Sequence, residues 1–98
     1  MNTRILIVDD ELSMREFLAI LLEREGYEAV MASSANEALA MLENNLFDLV
    51  ISDVQMPGLN GIELLGRIKA KSPATAVLMM TAFSAAEQAV EAMKLGAY

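Results

Sequence analysis

Arg4-Ile5-Leu6-Ile7-Val8, followed at once by Asp9-Asp10, is the stretch from which the rest of the chain is read. The run is apolar nearly throughout instead of alternating, which suits a parallel strand covered on both faces. Two carboxylates then stand where that strand gives out. The same device recurs further on, where Leu49-Val50-Ile51-Ser52 runs into Asp53. A carboxylate has little reason to end a buried strand unless something cationic or reactive meets it there.

Outward from these two strands, short apolar runs alternate with longer helix-patterned stretches. The candidate strands are Arg4–Val8, Glu28–Ala32, residues 48–52 and Ala76–Met80, the second being weaker and expected at an edge. Between and after them, apolar residues recur at helical spacing. The sets are Met14, Leu18, Leu21 and Leu22; Ala35, Ala38, Leu39 and Leu42; Leu64, Leu65 and Ile68; and Ala86, Ala89, Val90 and Met93. Ser34 with Glu37, Asn60 with Glu63, and Ser84 with Glu87 have the spacing of a helix cap and its reciprocal acid. Ser13 with Glu16 has it too, with Asp10 as a competitor for the cap. Gly26 and Gly96 follow helical stretches as left-handed stops. Strand and helix therefore alternate as β-α-β-α-β-α-β-α. Right-handed crossovers turn such a series into an α/β fold, a parallel sheet with helices on both faces.

Composition narrows the classes of function. Fourteen acidic residues against seven basic ones give a formal charge of −7, and no basic face stands out. Direct binding to a nucleic-acid backbone is therefore not expected. With 55% hydrophobic residues over 98 positions, one packed domain is. The absence of cysteine removes disulfides and thiolate metal sites, and fits a reducing cytoplasm. The longest uninterrupted apolar run, residues 17–22, falls far short of the ~20 residues of a membrane span. The first strand begins too early to leave room for a signal peptide. The expectation is a soluble, acidic, cytoplasmic domain with no membrane contact.

In an open parallel sheet, ligands bind beyond the carboxyl ends of the strands, where strand order reverses. If the first strand is central, with the second on one side and the third on the other, that crevice lies between strands one and three. Asp9, Asp10 and Asp53 then share one small volume. Crowded carboxylates raise one another's pKa unless a cation joins them. Oxygen ligands, in a chain without histidine, suit Mg2+, which keeps several waters and takes one or two carboxylates. A carboxylate beside Mg2+ can also act as a nucleophile toward phosphorus, giving an acyl phosphate. Any one of these aspartates alone is more simply a helix cap or a turn residue. The set of three points to a metal centre.

Asp53 is followed by Val54-Gln55-Met56-Pro57-Gly58-Leu59-Asn60-Gly61, whose proline and two glycines make a rigid, sharply turning loop. Such a loop can aim a backbone carbonyl, that of Gln55, into the site as a neutral metal ligand. An ordinary strand-to-helix connection would look the same. Thr81 ends the fourth strand, and Ser84 is better placed to cap the helix that follows. The Thr81 hydroxyl is thereby free to contact a phosphoryl oxygen, with small Ala82 leaving that oxygen accessible. Met79, Met80 and Met93 read as flexible core filler.

Ile-Leu-Ile-Val-Asp-Asp-Glu near the start, Asp-Val-Gln-Met-Pro-Gly-Leu-Asn-Gly in the middle and Met-Thr-Ala-Phe-Ser late on resemble the receiver domain of bacterial two-component response regulators. Order and spacing match across the whole chain, and the stretch from Ser84 to Tyr98 looks most like receivers of enhancer-binding transcription activators. The resemblance implies a doubly wound, flavodoxin-like sheet of strand order 2-1-3-4-5. Residues 1–98 would form a receiver domain that stops short of the fifth strand and fifth helix. It implies that Asp53 accepts a phosphoryl group from a sensor histidine kinase. Asp10, Asp53 and the Gln55 carbonyl would hold Mg2+, Asp9 would act mainly through water, and Thr81 would contact the phosphoryl group and shift on activation. The implied partners are that kinase and an output domain carrying ATPase and DNA-binding parts.

Receivers also carry a lysine and a switch aromatic on the fifth strand, and the sequence stops before both. A fourth strand without that neighbour is a bare apolar edge, so self-association through it is expected. Two other readings remain open. One is a Mg2+-dependent phosphatase with an aspartyl nucleophile, which usually needs its second acid one residue beyond the nucleophile. Here the acids at the first strand's end are adjacent. The other is an interaction domain that keeps the fold without being phosphorylated.

Overall fold

The computed structural model describes residues 3–53 and 61–80. In chain order these form β1 (Arg4–Val8), α1 (Leu12–Arg24), β2 (Glu28–Ala32), α2 (Ala35–Asn44), β3 (Leu49–Asp53), α3 (Gly61–Lys71) and β4 (Ala76–Met80). The strands make one sheet of order β2-β1-β3-β4, and every neighbouring pair is parallel. The expected central place of β1 and edge place of β2 are both found. Strand β3 is displaced by one residue from the expected 48–52, so Asp53 belongs to the ladder and pairs with Met80. The helix expected around Ala86 to Met93 lies outside the described residues.

Crossovers of one hand, with β2 on one side of β1 and β3 on the other, put α1 on one face of the sheet and α2 and α3 on the other. The face under α2 and α3 holds the larger core. Leu6, Val8, Ala32, Val50 and Val77 pack there with Ala35 and Ala38 of α2, Leu64, Leu65 and Ile68 of α3, and Phe47. The alternate strand residues Ile5, Ile7 and Ile51 are buried as well, on the face where α1 packs against β2 and β1. Double coverage is why β1 is apolar without alternation.

Local signals hold in two places and fail in one. At the end of α1 the Gly26 N–H donates to the Glu23 carbonyl (3.0 Å) and the Tyr27 N–H to the Leu22 carbonyl (3.1 Å). Gly26 sits at φ +89°, as this stop requires. At the start of α2, Ser34 Oγ accepts from the Glu37 N–H at 3.1 Å. Glu37 Oε1 answers at the Ser33 N–H (2.6 Å), one residue before the cap. The Ser13–Glu16 cap is not formed. Helix α1 begins at Leu12 with Glu11 at its cap and no side-chain cap bond, so Ser13 already lies inside the first turn. Residues 9 to 11 are used to turn away from the strand, and Asp9 Oδ1 accepts the Glu11 N–H at 2.9 Å instead.

The expected inner face of α1 is also only partly buried. Ala19 is buried and Leu18 and Leu22 half-buried, but Met14 and Leu21 stay 41% and 40% exposed. The helix meets the sheet along the small Ala19, its one buried residue, so side chains away from that line stay largely open. Met79 packs against the main core as filler and Met80 is half-buried, whereas Met93 lies outside the described residues.

The amino end of the sheet is tied by side chains. The Arg4 N–H donates to Asp48 Oδ2 at 2.8 Å. The Arg4 guanidinium pairs with Glu28, donates to the Leu46 carbonyl and lies 4.8 Å from the centre of the Phe47 ring. Buried Thr75 donates from its hydroxyl to the Phe47 carbonyl (3.1 Å) and shares a 2.7 Å hydrogen bond with Ser72 Oγ. Lys69 Nζ donates to the Thr75 carbonyl at 2.7 Å. No helix among the described residues is long and apolar enough to cross a membrane.

Candidate metal centre

Register explains how residues distant in sequence meet at the carboxyl end of the sheet. Val8 of β1 lies opposite Ser52 of β3. The next residue after each, Asp9 and Asp53, therefore comes level at the ends of adjacent parallel strands. Asp9 continues the ladder on its other side, its N–H donating to the Ala32 carbonyl of β2 at 3.2 Å. Asp10 follows in the turn toward α1. Ligand oxygens of Asp9, Asp10 and Asp53 all lie within 4.8 Å of one another. The expected convergence is present.

The three carboxylates differ in environment. Asp9 is 4% exposed, Asp53 half-buried and Asp10 exposed. Burial pushes the Asp9 carboxyl above its ordinary pKa. The hydrogen bond from the Glu11 N–H works against that shift, and the charges of Asp53, Asp10 and Glu11 reinforce it. A cation would reverse the crowding part of this cost. Oxygen donors graded from buried to open suit a hard divalent ion that keeps part of its water shell, so the residues present fit Mg2+.

Arg15, near the start of α1, donates from Nη1 to the Asp9 carbonyl at 2.7 Å. Ser52 is buried and donates from Oγ to the Asp53 carbonyl at 3.1 Å. Neither residue stood out in the sequence. The available signal was a basic side chain within one helical turn or so of an acidic pair, which is common on solvated helices and singles out nothing. Gln55 and Thr81, with the whole loop 54–60, lie outside the described residues.

Comparison with known proteins agrees with this geometry. Residues 5–98 match the family described as response regulator receiver domain. The response regulator protein FleR of Pseudomonas aeruginosa is 46% identical over 97 residues, which is 99% of this chain and 20% of that protein. The transcriptional regulatory protein ZraR of Escherichia coli is 47% identical over 96 residues, 98% of this chain and 22% of that protein. The chain thus spans about a fifth of the length of these curated relatives. Among solved structures, the response regulator protein TrrA of Thermotoga maritima, in complex with Mg2+-BeF, superposes with a TM-score of 0.89 at 38% identity. That match covers 98% of this chain and 84% of that one. The chain belongs to the response regulator receiver domain family.

Proposed function

We propose that this receiver domain relays a signal by taking a phosphoryl group onto Asp53, with Mg2+ held beside it. The observation that carries the reading is the meeting of Asp9, Asp10 and Asp53 at the crevice between β1 and β3. In this reading Asp10 and Asp53 offer carboxylate oxygens to the metal, the Gln55 carbonyl offers a neutral one, and Asp9 acts through water. Bound there, Mg2+ neutralises and aligns the transferring group. An Asp53 carboxylate oxygen attacks phosphorus, and the bond from phosphorus to the imidazole nitrogen of a sensor kinase's phosphohistidine breaks as the acyl phosphate forms. Thr81 donates its hydroxyl to a phosphoryl oxygen and shifts on activation. The chain has no histidine, so the phosphohistidine donor lies outside these 98 residues.

The domain is then a phosphoacceptor that assists its own phosphorylation and dephosphorylation, not a turnover enzyme, and it works in the cytoplasm. Support for the metal comes from a similar receiver named in complex with Mg2+-BeF. Its output in this reading is transcriptional, through an ATPase and a DNA-binding part. Support for the transcriptional role comes from relatives named as transcriptional regulatory proteins, about four-fifths of whose length lies beyond the matched region. Among the described residues β4 is a sheet edge with Leu78 exposed, which supports self-association through that edge. The direct test is to incubate the protein with Mg2+ and a small acyl-phosphate donor and weigh it intact. One phosphoryl adduct is expected, lost without Mg2+ and lost in Asp53→Asn. No adduct on the unaltered protein would overturn the reading.

A further inference from the structure

We propose that Arg15 is a positioning residue for the metal centre, holding the Asp9–Asp10 peptide so that the Asp10 carboxylate faces Asp53. The inference rests on the Mg2+ reading given above. Each polar group of Asp9 is separately engaged. Its N–H goes to the Ala32 carbonyl, its Oδ1 takes the Glu11 N–H, and its carbonyl oxygen takes Arg15 Nη1 at 2.7 Å. The first two bonds fix the end of β1 and the turn into α1. The third fixes something else. That carbonyl belongs to the planar peptide joining Asp9 to Asp10, so holding its oxygen sets the direction in which residue 10 leaves the strand.

Asp10 needs this help more than its neighbours. It stands past the last ladder bond and is exposed, and among the described residues its side chain has no hydrogen bond of its own. Its aim therefore comes through the backbone. A half-buried guanidinium bonded to a carbonyl is a charge-assisted contact, stronger than a neutral one. Groups that orient metal ligands from behind are a recurrent source of metal affinity. A plain staple between α1 and β1 would look similar in the structure, yet it would change only folding stability.

The test is Mg2+ titration of the full chain by calorimetry, comparing the unaltered protein with Arg15→Met and Arg15→Lys. Melts in chelator report stability separately, and circular dichroism confirms folding at the titration temperature. Arg15→Met keeps an apolar stem and loses the donor, and is expected to weaken Mg2+ binding about tenfold. Arg15→Lys keeps one donor without the rigid fork and is expected to fall in between, about two- to fivefold weaker. Amide shifts of Asp10 in the metal-free protein should move in both variants. Arg15→Met binding Mg2+ as tightly as the unaltered protein overturns the proposal, whatever its melting temperature. Should that variant not fold, Arg15→Lys decides, and unchanged affinity there overturns it. Failure of the unaltered protein to bind Mg2+ strikes the metal reading itself, which the other two outcomes leave standing.

Discussion

The two ends of the sheet treat charge in opposite ways. At the amino end Glu28 meets the Arg4 guanidinium, and the Asp48 carboxylate receives the Arg4 N–H. The buried Thr75 hydroxyl is engaged by both Phe47 and Ser72. At the carboxyl end three carboxylates lie within 4.8 Å, and the buried one has its pKa raised. Both ends belong to the same parallel ladder, so the backbone does not make the difference. Side chains at the amino end close the fold, whereas those at the carboxyl end oppose one another. An arrangement that works against folding and persists at a topological switch point is where function is to be sought.

The strongest way to probe the stabilising end is Thr75→Val. It leaves the buried Phe47 carbonyl without its donor and should cost about 1–3 kcal/mol in urea denaturation. A loss within error would mean the amino end is not held as described. The carboxyl end should answer with the opposite sign. Asp9→Asn keeps an acceptor for the Glu11 N–H while removing a crowded charge, so the metal-free protein should gain stability at neutral pH.

The pH dependence follows from the same shift. Since the folded-state pKa of Asp9 is raised, the folded protein holds the proton more tightly than the unfolded chain. Metal-free stability should therefore rise as pH falls through that raised pKa toward 3.8, and the rise should be missing in Asp9→Asn. Equal pH profiles in melts of the two proteins would erase the contrast between the ends. The smallest effect belongs to Arg4→Met. Its pair with Glu28 is at least a third exposed on both sides, so the loss should be about 1 kcal/mol or less and should shrink with salt.

Much of this is legible in the amino-acid sequence itself. Apolar runs covered on both faces declared a parallel sheet, and a carboxylate at the end of each of two such runs declared where its chemistry would lie. Strand order came from the resemblance to receivers, which puts β1 between β2 and β3 as the structure has it. What was hidden is non-local or competitive. The Thr75–Phe47 bond joins residues 28 apart in sequence, and no spacing rule reaches that far. The Ser13–Glu16 pair has the right spacing, but the turn at residues 9 to 11 starts the helix two residues too early for it. Met14 and Leu21 have the right period, yet burial depends on how much of α1 the sheet meets. Arg15 carries no local signature, because its bond runs backward to a carbonyl that no sequence pattern marks.

The central claim is that Asp9, Asp10 and Asp53 are gathered to hold a cation, and thermal melts with and without Mg2+ test it most directly. An ion that binds only the folded state should add about 1.4 kcal/mol of stability at roughly ten times its Kd. For a domain of this size that raises Tm by several degrees, about 4–8 °C per kcal/mol. The expected result is such a rise in the unaltered protein and none in Asp10→Asn/Asp53→Asn. No rise in the unaltered protein, or an equal rise in the doubly substituted one, would contradict it.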